Sequence, residues 1–361
     1  MQVAGLKMGT YTHDVYLGLG APGTYVPQNG NTDTIRFLRE NRAVGLLPKL
    51  NVYGGPVEEV MGNVWKIREA IMLGYFPLKI KHVLAGNQNG SIEELLEIRA
   101  HPQALMQCSL GLKEIGANPE ELFSEAYKTP NLYESSQIIL EIEDKPGSLS
   151  NSLEVFSRNG INLLYLHSTP YDRNKYRFYI LIDESDLDKV NSETLRDELL
   201  SVGGSIVGNN LSGLGTEKII LTKTKTNVDG IPDAKINPSI GVICSKETAL
   251  KQGLRIYKDP FCPPDNETHF SVVSTMKNDV TKEFKGLVKD KIMGLLTLPD
   301  KTGALSSALK IISESGLSLS FIMSLANNMG GFDFPLVMDN SNAIFGIQKN
   351  IIKLGGNLRV L

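Results

Sequence analysis

Apolar and polar residues alternate along the chain in two rhythms, and both rhythms occur twice. At 149–156 the apolar positions follow an i, i+4, i+7 spacing that predicts an amphipathic helix, and the spacing returns at 305–312. Phe178, Ile180 and Ile182 have a spacing of two that predicts a strand, and Phe334, Leu336 and Met338 repeat this spacing. One offset of 156 residues superimposes both patterns, so we interpret them as two copies of one module. Two copies indicate a duplicated domain rather than a solenoid.

The first copy contains the elements of a complete small domain. Strands are predicted at 136–143, 161–167 and 175–183 and after Gly203-Gly204, with helices at 148–158 and 187–200. The order βαββαβ is the ferredoxin-like plan, in which two helices cover one face of a four-stranded antiparallel sheet. Both copies begin with a similar loop, Asp144-Lys-Pro-Gly-Ser-Leu149 in the first and Asp300-Lys-Thr-Gly-Ala-Leu305 in the second.

The residues outside the two copies alternate short apolar runs with helical patterns, which is typical of α/β units. They form two stretches, 1–132 and 216–288, and neither contains a full set of elements alone. We therefore expect one α/β domain that is interrupted by the first module (133–215) and followed by the second (289–361). Such an insertion requires that the ends of the inserted module lie close together.

Composition narrows the class of protein. Apolar residues make up 41% of the 361 residues and charged residues 21%, as in an ordinary globular protein. A net charge of −3 lacks the basic surplus of nucleic-acid-binding proteins. With no apolar run near ~20 residues and no secretory signal pattern, we expect a cytoplasmic protein without a membrane partner. Cys108, Cys244 and Cys262 lack metal-ligand spacing, so we expect buried thiols, no metal and no cofactor.

Four short motifs outside the modules place polar side chains at glycine turns or at the ends of elements. They are Gly20-Ala-Pro-Gly-Thr-Tyr25, Leu46-Leu-Pro-Lys-Leu-Asn51 with the Gly54-Gly55 that follows, Ala100-His-Pro-Gln-Ala-Leu-Met-Gln-Cys108, and Asn266-Glu-Thr-His-Phe270. Pro102 suits the first turn of a helix, so His101 and the free N–H groups of that turn face whatever lies beyond the helix end, which favours an anion. Alternatively, His101 caps its own helix and Thr268 is a strand residue with a satisfied hydroxyl.

In these motifs the chain resembles the prephenate dehydratase family. That family carries a Gly-Pro-x-Gly-Thr-Tyr/Phe-Ser turn, a Ser-His-Pro-Gln-Ala-Leu-x-Gln-Cys helix start and an Asn-x-Thr-Arg-Phe motif, which are similar to residues 20–26, 100–108 and 266–270. Its Ala-Ala-Ile-Ala-Ser strand is similar to 241–245. The repeated module resembles the ACT regulatory domain of the family, whose Glu-Ser-Arg-Pro element becomes His167-Ser-Thr-Pro170 and Met323-Ser-Leu-Ala326.

The resemblance implies a catalytic domain of two lobes, like a periplasmic binding protein, that converts prephenate to phenylpyruvate in phenylalanine biosynthesis. It implies that Thr268 assists the leaving hydroxyl. The residues that it implies for holding the substrate are Thr24, Asn51, His101, Gln103, Ser245, Asn266 and His269. The residues that it implies for binding an amino-acid effector, with phenylalanine the first candidate, are Gly147, Leu149, His167, Ser168, Gly303, Ala304 and Leu305. His167 either binds the effector or packs in the core. The two modules pair either within one chain or across a dimer. We expect the protein to be a homodimer or homotetramer.

The chain departs from the family pattern in three places. One ACT-like module lies inside the catalytic domain, and both modules lack the arginine of Glu-Ser-Arg-Pro. The family's Pro-Ile-Glu-Asn-Ser loop is Pro48-Lys-Leu-Asn-Val52 here, and the family's arginine after the threonine is His269. His269 could pair with a substrate carboxylate only when its imidazole is protonated. Substrate binding would then strengthen below about pH 6.5. These changes leave two alternatives open, an enzyme that removes CO₂ but keeps the hydroxyl and a non-catalytic amino-acid-sensing regulator.

Overall fold

The structure, a computed structural model, describes residues 1–119, 135–172, 175–187, 190–208, 219–224, 226–327 and 331–361. The predicted junctions at 132/133 and 215/216 lie outside the described residues. The architecture is mixed α/β, as predicted, and its strands form four sheets. In the described part of the chain, no helix is long and apolar enough to cross a membrane.

Sheet A is built mainly from the beginning of the chain. Its strands are β1 (Gln2–Leu6), β2 (Thr24–Gln28), β3 (Val44–Asn51), β4 (Gly55–Pro56), β5 (Ile71–Lys79) and β15 (Glu267–Ser274), and its helices are α1 (Tyr11–Gly18), α2 (Asn31–Glu40) and α3 (Glu58–Asn63). The order is β2-β1-β3-β15-β5, with β4 paired to β3. β1, β2 and β3 are parallel, and β15 is antiparallel to both of its neighbours.

Sheet B is formed after the chain leaves β5. Its strands are β6 (Val83–Gly86), β7 (Glu97–Ala100), β12 (Ile220–Lys223), β13 (Ile240–Cys244) and β14 (Arg255–Lys258), and its helices are α4 (Pro102–Gln107), α5 (Ser109–Glu114), α9 (Ile231–Ile236) and α10 (Lys246–Lys251). The order is β12-β7-β13-β6-β14, in which β12, β7 and β13 are parallel. The chain returns from β14 to β15 of sheet A, so two segments connect the sheets. All three cysteines are buried free thiols, as predicted.

Two small modules share one topology. The inner module contains β8 (Ser135–Glu143), α6 (Ser148–Arg158), β9 (Leu163–Asp172), β10 (Lys175–Asp183), α7 (Glu184–Leu187), α8 (Ser192–Ser201) and β11 (Gly204–Gly208). The C-terminal module contains β16 (Lys291–Pro299), α11 (Ala304–Glu314), β17 (Leu319–Ile322), β18 (Leu325–Ala326), β19 (Gly331–Asp339), α12 (Ile344–Lys353) and β20 (Asn357–Val360). Their antiparallel sheets have the orders β11-β8-β10-β9 and β17-β19-β16-β20, which are equivalent under the repeat.

The helix predicted at 148–158 has its predicted bounds, whereas the helix predicted at 187–200 begins later, at Ser192. Asn191 causes this later start, because its side chain accepts hydrogen bonds from the backbone N–H groups of Glu193 and Thr194.

The two modules pair with each other inside the one chain. Their buried apolar residues form one continuous core, and α6 packs against α11. Across the seam, the Ser168 hydroxyl donates to the Ile322 carbonyl at 2.9 Å and accepts from the Ile322 N–H at 3.0 Å. Ser324 makes the equivalent pair of contacts with Leu166, at 2.8 and 3.3 Å. Since both serines occupy the same position of the repeat, the seam has approximate twofold symmetry.

The C-terminal module also packs against sheet A. One face of that sheet, with Val44 and Leu46, packs against α1. The opposite face, with Leu47, shares a core with α2, α3 and residues of the C-terminal module, among them Phe321 and Met323. The two modules and sheet A therefore form one packed unit.

Candidate active site

All but Thr24 and His269 of the predicted catalytic and substrate residues gather where strands of sheet A and sheet B end. Asn51 ends the parallel strand β3, and Thr268 lies directly opposite it near the start of the antiparallel strand β15. In sheet B, His101 follows the end of β7, and Ser245 follows the end of the neighbouring parallel strand β13. In open α/β sheets, ligands bind outside the carboxyl ends of the parallel strands.

Asn51 is the most constrained side chain of the site. It is fully buried, and its Nδ2 donates to Thr268 Oγ1 at 2.9 Å and to Asn266 Oδ1 at 2.8 Å. Its Oδ1 accepts from the backbone N–H groups of Tyr53 at 2.9 Å and Gly54 at 2.6 Å. These contacts fix the orientation of the amide. Because Thr268 oxygen accepts a hydrogen bond here, its own proton remains available to a substrate oxygen.

Gln103 of α4 lies close to Asn51, and we refer to the region between Asn51, Thr268 and Gln103 as the crevice. His101 precedes α4, and its Nδ1 accepts from the Gln103 backbone N–H at 3.2 Å, so His101 caps its own helix. Burial lowers the pKa of His101, which keeps this acceptor neutral. Gln103 Nε2 donates to the Pro56 carbonyl at 2.7 Å, and Gln103 Oε1 is a buried acceptor without a hydrogen-bond partner in the described part of the chain. This oxygen can therefore accept a hydrogen bond from a donor outside the described residues.

Gly54 allows the two sides to meet. A Cβ atom on Gly54 would lie 2.8 Å from Gln107 Cγ, 3.1 Å from Gln103 Oε1 and 3.3 Å from Asn51 Oδ1. A larger residue there would push α4 away from the end of β3. The glycine therefore brings Gln103 to the same crevice as Asn51 and Thr268.

A buried polar network forms the wall behind these residues. Asn266 Nδ2 donates to Gln107 Oε1 at 3.2 Å, and His82 Nε2 lies 3.0 Å from the same oxygen. Burial lowers the pKa of His82 to about 4, so the ring is neutral and serves the structure of this network. Asn266 donates to Gln107 and accepts from Asn51, so it orients Asn51 rather than facing open space.

Thr24 does not belong to this site. It begins β2 and pairs with Gln2 at the amino edge of sheet A, about 13 Å along the strands from the carboxyl edge. The Gly-Thr-Tyr triplet occurs twice, and the copy Gly9-Thr10-Tyr11 follows β1 and begins α1 at the carboxyl edge. Tyr11 donates to the Lys81 carbonyl at 3.0 Å, in the segment that connects the two sheets. The signal that identifies Thr10 is the apolar strand immediately before it.

His269 also lies elsewhere, because successive side chains of a strand point to opposite faces. Thr268 faces Asn51, and His269 faces the other side, where its Nε2 lies 2.9 Å from Glu267 Oε1 and its ring stacks on Tyr75 at 4.5 Å. Burial, with the charge of Lys49 next, lowers the pKa of His269. The structure therefore does not bring His269 to Thr268 as a carboxylate partner.

Ser245 lies at the carboxyl end of β13 and caps α10, where its Oγ accepts from the Thr248 N–H at 3.1 Å. It is on the same edge of sheet B as His101, but its oxygen already serves the helix.

The comparisons with known proteins identify the family of the chain. The family model described as prephenate dehydratase matches residues 5–185, half of the chain. The chain belongs to the prephenate dehydratase family. A prephenate dehydratase of Methanocaldococcus jannaschii is 25% identical over 142 residues, which cover 39% of this chain and 48% of that protein. The chain thus matches about half the length of this relative.

Two solved prephenate dehydratases share the fold. The enzyme from Staphylococcus aureus superposes with a TM-score of 0.52 at 13% identity, covering 100% of this chain and 98% of that one. The enzyme from Arthrobacter aurescens, solved in complex with L-Phe, also gives a TM-score of 0.52 at 13% identity, covering 99% and 88%. Over nearly its whole length the chain therefore has the architecture of this family.

Six of the seven predicted effector residues line two small pockets between the modules, each about 50 Å³. The Tyr165 pocket lies between Tyr165 of the inner module and Gly303, Ala304 and Leu305 of the C-terminal module. The Tyr176 pocket lies between Gly147, Leu149, Ser168 and Tyr176 of the inner module and Phe321 of the C-terminal module. The two pockets exchange places under the repeat.

His167 is the exception among the effector residues. It lines neither pocket and is fully buried at the seam, where its backbone pairs with Met323. Burial lowers the pKa of His167 to about 3, so the imidazole is neutral. Of the two roles left open by the sequence, the position favours packing.

Proposed function

We propose that the protein converts prephenate to phenylpyruvate, with Thr268 assisting departure of the hydroxyl group. The observation that carries the proposal is the Thr268 hydroxyl held by Asn51, in one crevice with the unpartnered Gln103 Oε1. Prephenate carries two carboxylates and a ring alcohol. A crevice that offers a hydroxyl donor and an open amide acceptor suits the alcohol.

In the proposed reaction the C–C bond to the ring carboxylate breaks and its electron pair forms a new ring double bond. The C–O bond to the ring hydroxyl breaks at the opposite carbon, so CO₂ and hydroxide leave and the ring becomes aromatic. Thr268 donates its hydrogen bond to the departing oxygen as negative charge develops there. Such assistance is worth about 10²–10⁴-fold in rate. Asn51 fixes the donor in advance, so no reorganisation is required during the reaction.

We further propose that sheets A and B are the two lobes of a periplasmic-binding-protein-like catalytic domain. The inner and C-terminal modules are ferredoxin-like ACT domains in this proposal, with domain bounds 1–132, 133–215, 216–288 and 289–361. The βαββαβ order of both modules and their equivalent strand orders support it. An amino acid, with phenylalanine the first candidate, binds between the modules. The oligomeric state, a homodimer or homotetramer, stays a prediction that sedimentation would measure. The cytoplasmic location also stays a prediction.

A second function, loss of CO₂ with retention of the hydroxyl, is favoured by one observation. The family's arginine after the catalytic threonine is His269 here, and this side chain faces away from the crevice toward Glu267. The crevice thus lacks that cation. An enzyme that bound prephenate less firmly at its leaving group would release CO₂ and keep the ring alcohol, and the electron pair of the broken C–C bond would take up a proton from water to form a ring C–H bond.

One assay separates these functions. Purified protein is incubated with prephenate, and phenylpyruvate is measured by the absorbance of its enolate in alkali while the ring is monitored separately. Phenylpyruvate supports the dehydratase. A non-aromatic hydroxy keto acid supports the decarboxylase. Unchanged prephenate contradicts both and leaves the non-catalytic amino-acid sensor.

A further inference from the structure

The two pockets between the modules are equivalent by the repeat but not by their surroundings. The offset of 156 residues carries Tyr165 onto Phe321 and His167 onto Met323. Polar groups on the inner module are therefore replaced by apolar groups on the C-terminal module. The inner module places these polar groups against sheet A, since β9 contacts β4.

A chain of contacts leads from the Tyr165 pocket toward the crevice. Tyr165 lines the pocket, and its hydroxyl lies 3.5 Å from His167 Nδ1, with the two rings nearly parallel. Glu58 Oε1 lies 3.9 Å from the same nitrogen. Glu58 begins α3, two residues after Pro56.

Pro56 belongs to the short strand that borders the site. Its carbonyl accepts from Gln103 Nε2 at 2.7 Å, and it pairs with Leu50 of β3. The neighbouring Gly54 N–H donates to Asn51 Oδ1 at 2.6 Å. A shift of the start of α3 therefore moves the partners of Gln103 and Asn51. On the C-terminal module, Phe321 and Met323 meet sheet A only as members of an apolar core.

We propose that Tyr165, His167 and Glu58 couple the Tyr165 pocket to the catalytic crevice, and that the Tyr176 pocket lacks this connection. The coupling rests on the proposed regulation by an amino acid at the modules. Occupation of the Tyr165 pocket displaces Tyr165 and His167, and Glu58 transmits the displacement to residues 54–58. The inner module is thereby the sensor that acts on catalysis, and the C-terminal module mainly completes its pocket.

The test uses residues that the repeat itself supplies. His167→Met installs the residue found at the equivalent position of the C-terminal module. Glu58→Gln removes a carboxylate at a half-exposed position. Neither His167 nor Glu58 lines either of the two pockets. With L-phenylalanine as the probe, both variants should bind it as the parent does by calorimetry. The concentration that half-inhibits prephenate turnover should rise about tenfold, within the usual range of coupling between sites. Tyr176→Phe, which removes the hydroxyl lining the other pocket, should leave inhibition unchanged.

The coupling would be overturned if L-phenylalanine inhibited His167→Met and Glu58→Gln at the same concentration as the parent. It would also be overturned if Tyr176→Phe lost inhibition to the same extent as these variants. A second readout is independent of any effector. In the free protein, His167→Met should accelerate amide hydrogen exchange at residues 54–63, because the contact that holds this segment is lost. Unchanged exchange there contradicts the proposal. If phenylalanine does not inhibit the parent protein, the proposed regulation is contradicted. The hydrogen-exchange experiment then still tests the contact between His167 and Glu58.

Discussion

Replacing Lys49 by methionine should stabilise the protein. Lys49 is fully buried on β3, its Nζ has no hydrogen-bond partner within the described residues, and it lies 4.4 Å from the centre of the Tyr75 ring. Burial lowers its pKa from 10.5 to about 7. Methionine has a similar length and no charge to desolvate, and removing an uncompensated buried charge in favour of an apolar side chain is commonly stabilising.

The size of the effect follows from the shift in pKa. At about 1.4 kcal/mol per unit, a decrease from 10.5 to about 7 corresponds to about 5 kcal/mol of unfolding free energy. The folded pKa is below the unfolded one, so between these values the unfolded state binds more protons and stability rises with pH. Below pH 7 both states are protonated and the full penalty applies. The advantage of Lys49→Met should therefore be about 5 kcal/mol at pH 6 and decrease to about 3 kcal/mol at pH 8.5.

Urea unfolding of parent and Lys49→Met at several pH values measures this difference, because titrating groups remote from Lys49 cancel between the two proteins. His269 does not cancel, since the charge of Lys49 lowers its pKa. Lys251→Met is the matched control, since that side chain is 72% exposed and forms an ion pair with Glu247 on the same helix. It should change stability by less than about 0.5 kcal/mol. A destabilised Lys49→Met, or a difference that does not vary between pH 6 and 8.5, would refute the reasoning.

Three further changes test the placement of residues. Thr10→Ala should raise KM for prephenate and Thr24→Ala should leave it unchanged, because Thr10 and not Thr24 lies at the carboxyl edge of sheet A. The reverse result in steady-state kinetics would support Thr24 as the substrate-binding residue. Ser168→Ala and Ser324→Ala should each lower stability by about 1–3 kcal/mol in urea unfolding, because each leaves buried backbone groups unpaired at the seam. Gly54→Ala should lower turnover while the protein stays folded by circular dichroism, since the added methyl group collides with the glutamines of α4; parental turnover would show that these side chains yield freely.

The repeat and its elements are predictable from sequence because they are local. The stripe of Leu149, Leu153 and Phe156 fixes the buried face of α6 within three turns, and the glycine before it fixes where the helix begins. The pairing of the modules has no such local signal. Ser168 and Ile322 meet only because two complete domains fold and then associate, 154 residues apart.

The candidate site divides in the same way. Asn51 and Thr268 were identified from motifs, and the structure places them in contact. The motif resemblance pointed to Thr24, whereas the strand register places Thr24 at the amino edge of sheet A and leaves Thr10 at the carboxyl edge. The orientation of His269 follows from strand parity relative to Thr268, which is a local rule that the motif comparison obscured. The burial of Lys49 depends on how sheet A packs, which a hydrophobicity pattern does not reveal.

The most direct test of the account compares Thr268→Ser with Thr268→Ala in prephenate turnover. Serine keeps the hydroxyl that Asn51 holds, so kcat should stay within about tenfold of the parent, whereas alanine should lower kcat by about 10²–10⁴-fold. KM should change little in both, because the hydroxyl acts on the departing oxygen and not on the bound carboxylates. A folded Thr268→Ala protein that retains parental kcat would contradict the assignment of Thr268 and with it the proposed chemistry.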